Sequence, residues 1–342
     1  MTQLQKLLSG CLPPEAVKII HEQMYVHPAL QKPASGTVTR AELAQALNMA
    51  LFHDLVQRVP ASQDYIACDV VAQKRQVVFD HGALRTVRWP SGALPGGEAA
   101  FTRVLRPLGF ALQDTYPLPR LKMTGRAYCH QDFPQDIAQF FVSELHPEEF
   151  SSAFQTTVTR VLSTSRDPLG AQDIADLDQL TRDGTLPLQQ ALRLLPHLIA
   201  CFGRQHDVFA LEDYEALLAE SAEMAWISTE GNAFNHATDR VADVDAVAEH
   251  QRALGRPIKD KVEVSASGRV RQTAFRAARV EREFIAAQGR VTRSVPGSFY
   301  EFITRAELAP LAANDPVQAP QLDLAFDAGN ATGIFGMTAA RA

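Results

Sequence analysis

The chain has 342 residues, 46% of them hydrophobic, enough for a sizeable core in one large domain or two. Its formal net charge is -6 and its 33 basic residues are spread along the chain, which leaves no basic stripe and excludes nucleic acid as an expected partner. Cys11, Cys68, Cys129 and Cys201 form no C-x-x-C pair, and the sequence shows neither a signal-peptide pattern nor a membrane-length apolar run. The expectation is a cytoplasmic protein with reduced thiols.

In chain order, residues 1–60 are expected to be N-terminal helices. Ala16, Ile19, Ile20 and Met24 recur at helical spacing, and Thr39-Arg40-Ala41-Glu42 is a capping box opening a helix that runs to about Arg58. His21, His27 and His53 fall in this region and are given no site role. Residues 61–150 form a first βαβββ unit: strand 77–89, a helix near 97–107 stopped by Gly109, then strands 110–116, 121–130 and 137–145. Residues 151–225 are an all-helical insertion, with Leu177, Leu180, Leu188, Leu192, Leu195 and Ile199 spaced for mutual packing.

The strand-and-helix order returns over residues 226–308, as strand 232–241, helix 244–254, strands 261–266 and 270–280 joined at Ser267-Gly268, and strand 298–304 after Pro296-Gly297. This second βαβββ unit repeats the element order of the first. Residues 309–342 begin Pro-rich and end in a Gly-rich run, Gly329 to Thr338, expected to pack back and close a pocket. The fold class is α+β, one compact catalytic domain with two related units.

Three segments carry chemistry. On the first strand, alternation places His81, Ala83, Arg85 and Val87 on one side, with His81 and Arg85 roughly 13 Å apart at Cα. His236 occupies the matching strand of the second unit. Glu301, between Tyr300 and Phe302 in the last strand, needs a partner if it faces inward, because an unpaired buried charge is costly. Taken singly, the histidines are core residues and Glu301 pairs with Arg305 or Arg293. Taken together, two imidazoles and a carboxylate form the facial triad of non-haem Fe(II) oxygenases, a donor set zinc also accepts. Gln272 is a candidate substrate contact in the second unit, whereas Ser265, Ser267 and Thr273 are polar residues without a fixed face. His130 and His146 are left outside the site.

The segments Phe79-Asp80-His81-Gly82-Ala83-Leu84-Arg85-Thr86, Asn235-His236-Ala237-Thr238-Asp239-Arg240 and Phe299-Tyr300-Glu301-Phe302 resemble those of the 2-oxoadipate dioxygenase/decarboxylase (hydroxyglutarate synthase) family, a branch of the vicinal-oxygen-chelate, glyoxalase-like superfamily. The resemblance runs from about Val77 to Met337. It implies that His81, His236 and Glu301 bind Fe(II), that Arg85 holds the distal carboxylate of a 2-oxo dicarboxylic acid, and that the paired units curl into a half-open β-barrel around the metal. The implied reaction consumes 2-oxoadipate and O2 and yields 2-hydroxyglutarate and CO2, a step of lysine breakdown. The chain is shorter than the better known members, which points to a reduced substrate lid. The competing expectations are a glyoxalase-type Zn(II) or Ni(II) isomerase or lyase, with Glu144 as a fourth ligand from the last strand of the first unit, and a non-catalytic protein retaining the site.

Overall fold

The computed structural model describes residues 1–308 and 321–327. The N-terminal region holds α1 (Gln3–Leu8), α2 (Pro14–Gln23), β1 (Thr37–Thr39), α3 (Arg40–Arg58) and α4 (Pro60–Tyr65). The expected capping box is present at α3, where the Thr39 side chain accepts from the Glu42 N–H and the Glu42 carboxylate accepts from the Thr39 N–H. That closes two of the N–H groups a helix start leaves open.

The first unit comprises β2 (Phe79–Val87), α5 (Ala99–Leu105), β3 (Phe110–Leu118), β4 (Met123–His130) and β5 (Gln139–Leu145). The insertion follows as α6 (Ser152–Leu162), α7 (Ala171–Asp183), β6 (Thr185–Pro187), α8 (Leu188–Ala200), α9 (Leu211–Glu220) and α10 (Ala222–Glu230). It is not purely helical: β6 pairs antiparallel with β1 and ties the insertion to the N-terminal helices. The second unit is β7 (Phe234–Arg240), α11 (Val244–Ala253), β8 (Glu263–Val264), β9 (Val270–Ala274), the hairpin β10 (Arg279–Ala286) and β11 (Gly289–Pro296), and β12 (Phe299–Arg305). The hairpin is a departure from the sequence expectation, which carried β9 on to residue 280. The chain instead leaves the sheet after Ala274 and forms a separate two-stranded ribbon.

Eight strands form one curled sheet in the order β3-β4-β5-β2-β7-β12-β9-β8. The order reads the same from either end: each unit contributes its first strand to the centre, its last strand beside that, and its middle pair to the edge. The central pair, β2 with β7, is antiparallel, while β2–β5 and β7–β12 are parallel. One face carries Leu84, Phe140, Phe234, Ala237, Tyr300 and Phe302 into the main core with α3. Burial of such large side chains contributes about 1.5–3 kcal/mol each and clamps the sheet on that side. The expected site residues lie on the other face.

Candidate functional site

Three strands bring the three expected ligands together in two adjacent rows, which β5 extends. Across the sheet, Glu301 (β12) pairs with Thr238 (β7), Thr238 with His81 (β2), and His81 with Gln139 (β5). One step along, Phe299 (β12) pairs with His236 (β7), His236 with Ala83 (β2), and Ala83 with Phe141 (β5). His81, His236 and Glu301 are buried, and each offers one ligand atom within 4.8 Å of the other two. The Nε2 atoms of His81 and His236 are 3.4 Å apart, and Oε2 of Glu301 stands 3.3 and 3.6 Å from them. Among the described residues this is the one grouping of three or more His, Cys, Asp or Glu side chains able to hold a metal ion. Glu301 Oε1 is buried with no hydrogen-bond partner. A buried carboxylate oxygen left open beside two imidazole nitrogens is the arrangement a divalent cation satisfies, and the N,N,O donor set suits Fe(II) or Zn(II).

The backbone turns the residue before each histidine toward its ring. Sheet register shifts between Phe79 and His81, and again between Ala83 and Leu84 on β2, which pair with His236 and Phe234. The unpaired residues at these two bulges are Asp80 and Asn235. A bulge re-aims a side chain that strict alternation would send to the far face. Asp80 thereby reaches His81 Nδ1 at 2.8 Å, and the Asn235 amide reaches His236 Nδ1 at 3.1 Å. With Nε2 on a metal, each Nδ1 carries a proton, so Asp80 accepts directly. Asn235 presents its amide nitrogen to His236 Nδ1 and leaves Oδ1 without a partner; exchanging the amide oxygen and nitrogen by a flip lets Oδ1 accept from a protonated Nδ1.

Asp80 is itself held by Arg305, through contacts of 2.8 to 3.0 Å, and by Arg240 Nε at 2.7 Å. Burial opposes its charge, but the two guanidiniums prevail and hold its carboxyl well below the usual range. Arg305 therefore serves Asp80, and Glu301 is left to the histidines and to Thr238, whose hydroxyl donates to Oε2 at 2.7 Å. Burial lowers the basicity of His81, yet Asp80 and Glu301 more than reverse this and its pKa is raised. His236, with a neutral amide behind it, is pushed down to about 3 by burial. Glu301 stays ionised: burial raises its pKa, and the neighbouring imidazoles and Thr238 bring it below its ordinary value.

Arg85 is on the same face as His81, fully buried, with its guanidinium 5.0 Å from the centre of the Trp226 ring on α10. Burial lowers its pKa to about 10, so it remains a cation at neutral pH. Gln272, paired with Ile303 on β12, shares the face of Glu301 and is buried. The segment 321–327 crosses the same face. Arg305 donates to the carbonyls of Asp323 and Ala325, Gln139 donates to that of Leu324, and the Phe326 ring packs 4.8 Å from both His81 and Phe141. The remainder of the expected closing segment, including the run from Gly329 to Thr338, lies outside the described residues.

Glu144 is not positioned as a fourth ligand. It pairs with Thr86, one step out of phase with His81 and Arg85, and its carboxylate accepts from the Glu98 N–H at 2.7 Å on the opposite face. His130 accepts backbone N–H groups from Asp132 and Phe133, and His146 sits beside Glu149, so neither belongs to the site.

Asp80, Asn235 and Thr238 were missed from sequence. The signal was available for the first two, because each metal-type histidine follows a short side chain bearing a carbonyl oxygen.

A twofold-related pair of βαβββ units, curled around two histidines and a glutamate, defines a scaffold of the glyoxalase-like, vicinal-oxygen-chelate class. Within that class the chain belongs to the 2-oxoadipate dioxygenase/decarboxylase family, whose sequence profile matches residues 42–311. A glyoxalase superfamily protein from Ralstonia eutropha JMP134 is 56% identical in sequence, with a TM-score of 0.88 over 95% of this chain and 98% of its own. Hydroxyglutarate synthase from Oryza sativa, solved in complex with 2-oxoadipate, shares the fold at 18% identity and a TM-score of 0.66, covering 90% of this chain and 96% of that one. The Pseudomonas putida hydroxyglutarate synthase in complex with 2-oxoadipate does so at 17% identity and 0.61, over 89% and 74%. No curated protein sequence matches the chain. No helix among the described residues is long and apolar enough to cross a membrane.

Proposed function

We propose that this chain is an Fe(II)-dependent enzyme that converts 2-oxoadipate and O2 to 2-hydroxyglutarate and CO2. The observation that carries the reading is the buried triad of His81, His236 and Glu301, with Glu301 Oε1 open and no fourth ligand-type side chain beside it among the described residues. Fe(II) held there would supply the site at which a 2-oxo acid chelates through its carboxylate and keto oxygen and at which O2 is activated.

The protein's part is positioning. Asp80 and Asn235 fix the tautomer and plane of the two imidazoles, and Thr238 holds Glu301 Oε2. Arg85 offers a planar fork to the far carboxylate of the substrate, and Trp226 keeps that fork in place and away from water. Gln272 contributes a neutral hydrogen-bonding group on the same wall. In the overall reaction the C1–C2 bond breaks and C1 leaves as CO2. One oxygen atom completes a carboxylate at C2, the other enters a C–H bond of the remaining five-carbon chain, and O2 takes up the four electrons released.

The test is oxygen uptake by protein prepared without air and loaded with Fe(II), with product analysis by mass spectrometry. Equimolar loss of O2 and 2-oxoadipate, with both isotopic oxygens recovered in 2-hydroxyglutarate, is expected. In the Arg85→Lys variant KM for the diacid should rise at least about tenfold, the scale of a lost bidentate contact. A loaded protein that consumes no O2, or that rearranges a substrate without it, overturns the reading.

A further inference from the structure

The two units are related by an approximate twofold axis through the β2–β7 pair. His81 pairs with Thr238 and Ala83 with His236, so the axis exchanges His81 with His236 and Ala83 with Thr238. On the flanking strands Gln139 lies beside His81 as Phe299 lies beside His236, so the same axis exchanges Gln139 with Phe299. Two residues further along each strand it exchanges Phe141 with Glu301. The site therefore has four equivalent corners, three bearing metal-type donors and the fourth bearing a phenyl ring.

We propose that Phe141 determines the class of reaction at this site by holding the fourth corner with an apolar ring, which keeps one side of the metal free of protein ligand and dry. This inference rests on the function proposed above. The surroundings of the corner fit that role. Phe141 is buried beside Ala83, Ala127 and Tyr116, with its ring 5.7 Å from that of Tyr116 and 4.8 Å from that of Phe326, which in turn covers His81. Gly125 on β4 makes room for the ring, since a Cβ at that position would overlap it. An apolar pocket suits a small uncharged gas and disfavours water, whereas a donor at this corner would complete a four-ligand shell and leave less room for two incoming molecules. The carboxylate that sequence inspection offered for this role, Glu144, faces the other way, so the vacancy belongs to Phe141.

The inference is tested by giving the fourth corner a donor in the full-length protein. Phe141→Glu reproduces the partner corner, and Phe141→His does so with a neutral side chain of similar size that a buried position tolerates. Phe141→Leu adds no donor. Co(II) alone is the probe, its affinity read by chelator competition and its ligand field by visible absorption, with near-ultraviolet circular dichroism confirming the fold.

The Glu and His variants are expected to bind Co(II) at least about tenfold more tightly than the unaltered protein, the scale on which even indirect ligand partners move metal affinity. They should also show a changed absorption band, while the Leu variant binds as the unaltered protein does. With Fe(II), the Glu and His variants should lose O2 uptake. A folded His variant with unaltered Co(II) affinity and absorption overturns the inference. If the unaltered protein takes up no O2 with 2-oxoadipate, the proposed reaction fails, and the Co(II) comparison still decides what faces the corner.

Discussion

Replacing Asp80 with asparagine removes one charge and keeps the shape. The carboxylate is fully buried, and its charge balances the Arg305 guanidinium, also fully buried, and Arg240, whose side chain is 17% exposed. Removing one partner of a buried pair costs about 3–5 kcal/mol, because the other charge stays behind unbalanced. Arg240 recovers some hydration and Arg305 keeps the carbonyls of Asp323 and Ala325, so the lower end, about 3 kcal/mol, is expected. Against a total of about 5–15 kcal/mol for a typical domain, the loss is readily measured.

Asparagine can still accept from His81 Nδ1, but its amide nitrogen then meets an arginine donor, and the weaker acceptor makes the imidazole a poorer ligand. Metal affinity should fall by about 10- to 100-fold. The assay is urea unfolding of metal-free protein at pH 7, with chelator competition for the metal. Asn235→Ala is the matched comparison: it also loses the support behind a ligand, but no charge, so its metal-free stability should drop by only about 1 kcal/mol. Equal stability of Asp80→Asn and the unaltered protein, with metal affinity intact, would refute the account of the Asp80 cluster.

Three further outcomes are expected. Glu144→Gln should leave metal content unchanged by elemental analysis, since the carboxylate caps the Glu98 N–H on the opposite face; loss of metal would contradict the register of β2 against β5. Gly82→Ala places a methyl group into the buried Phe234 ring and should lower stability by about 1–3 kcal/mol in denaturant unfolding, an unchanged midpoint counting against the packing described. His206, whose pKa burial lowers from 6.5 to about 4 while its bond to the Ser228 carbonyl opposes the shift, stays neutral in the native state. The unfolded chain takes up that proton near pH 6.5 and the native chain only near 4, so its contribution is complete above 6.5 and falls by about 1.4 kcal/mol per pH unit between the two. His206→Gln should flatten the acid side of the stability profile, and an identical slope in the variant would reject this assignment.

The three triad residues were legible because each is a chemistry-bearing side chain in an otherwise apolar strand, at matching places in two units of the same element order. Their partners were harder to see. Alternation sends Asp80 and Asn235 away from the histidines they support, and only the bulges bring them back; a bulge is a property of how two distant strands register and leaves no local pattern. Glu144 stood as the competing reading's fourth ligand for a related reason: parity along β5 decides its face, and an uncertainty of one residue reverses it. The ribbon from Arg279 to Pro296 escaped notice because most of its exposed positions are charged or polar and only Phe284 and Val295 are buried, so neither strand shows a continuous apolar face. Phe141 reads as ordinary core until its symmetry mate is known.

The antiparallel seam of β2 against β7 has a consequence for how the protein is made. It joins strands on either side of the whole insertion, so the donors cannot meet until the ribosome has delivered nearly the entire described chain, and Glu301 arrives last of the three. Long-range pairing of this kind forms late in folding. A nascent chain therefore carries scattered imidazoles that bind cations weakly, and strong capture at the proposed site would wait for the finished sheet. Ion selection is thereby deferred to the folded protein in its own compartment, where geometry, rather than the order of synthesis, decides which metal is kept.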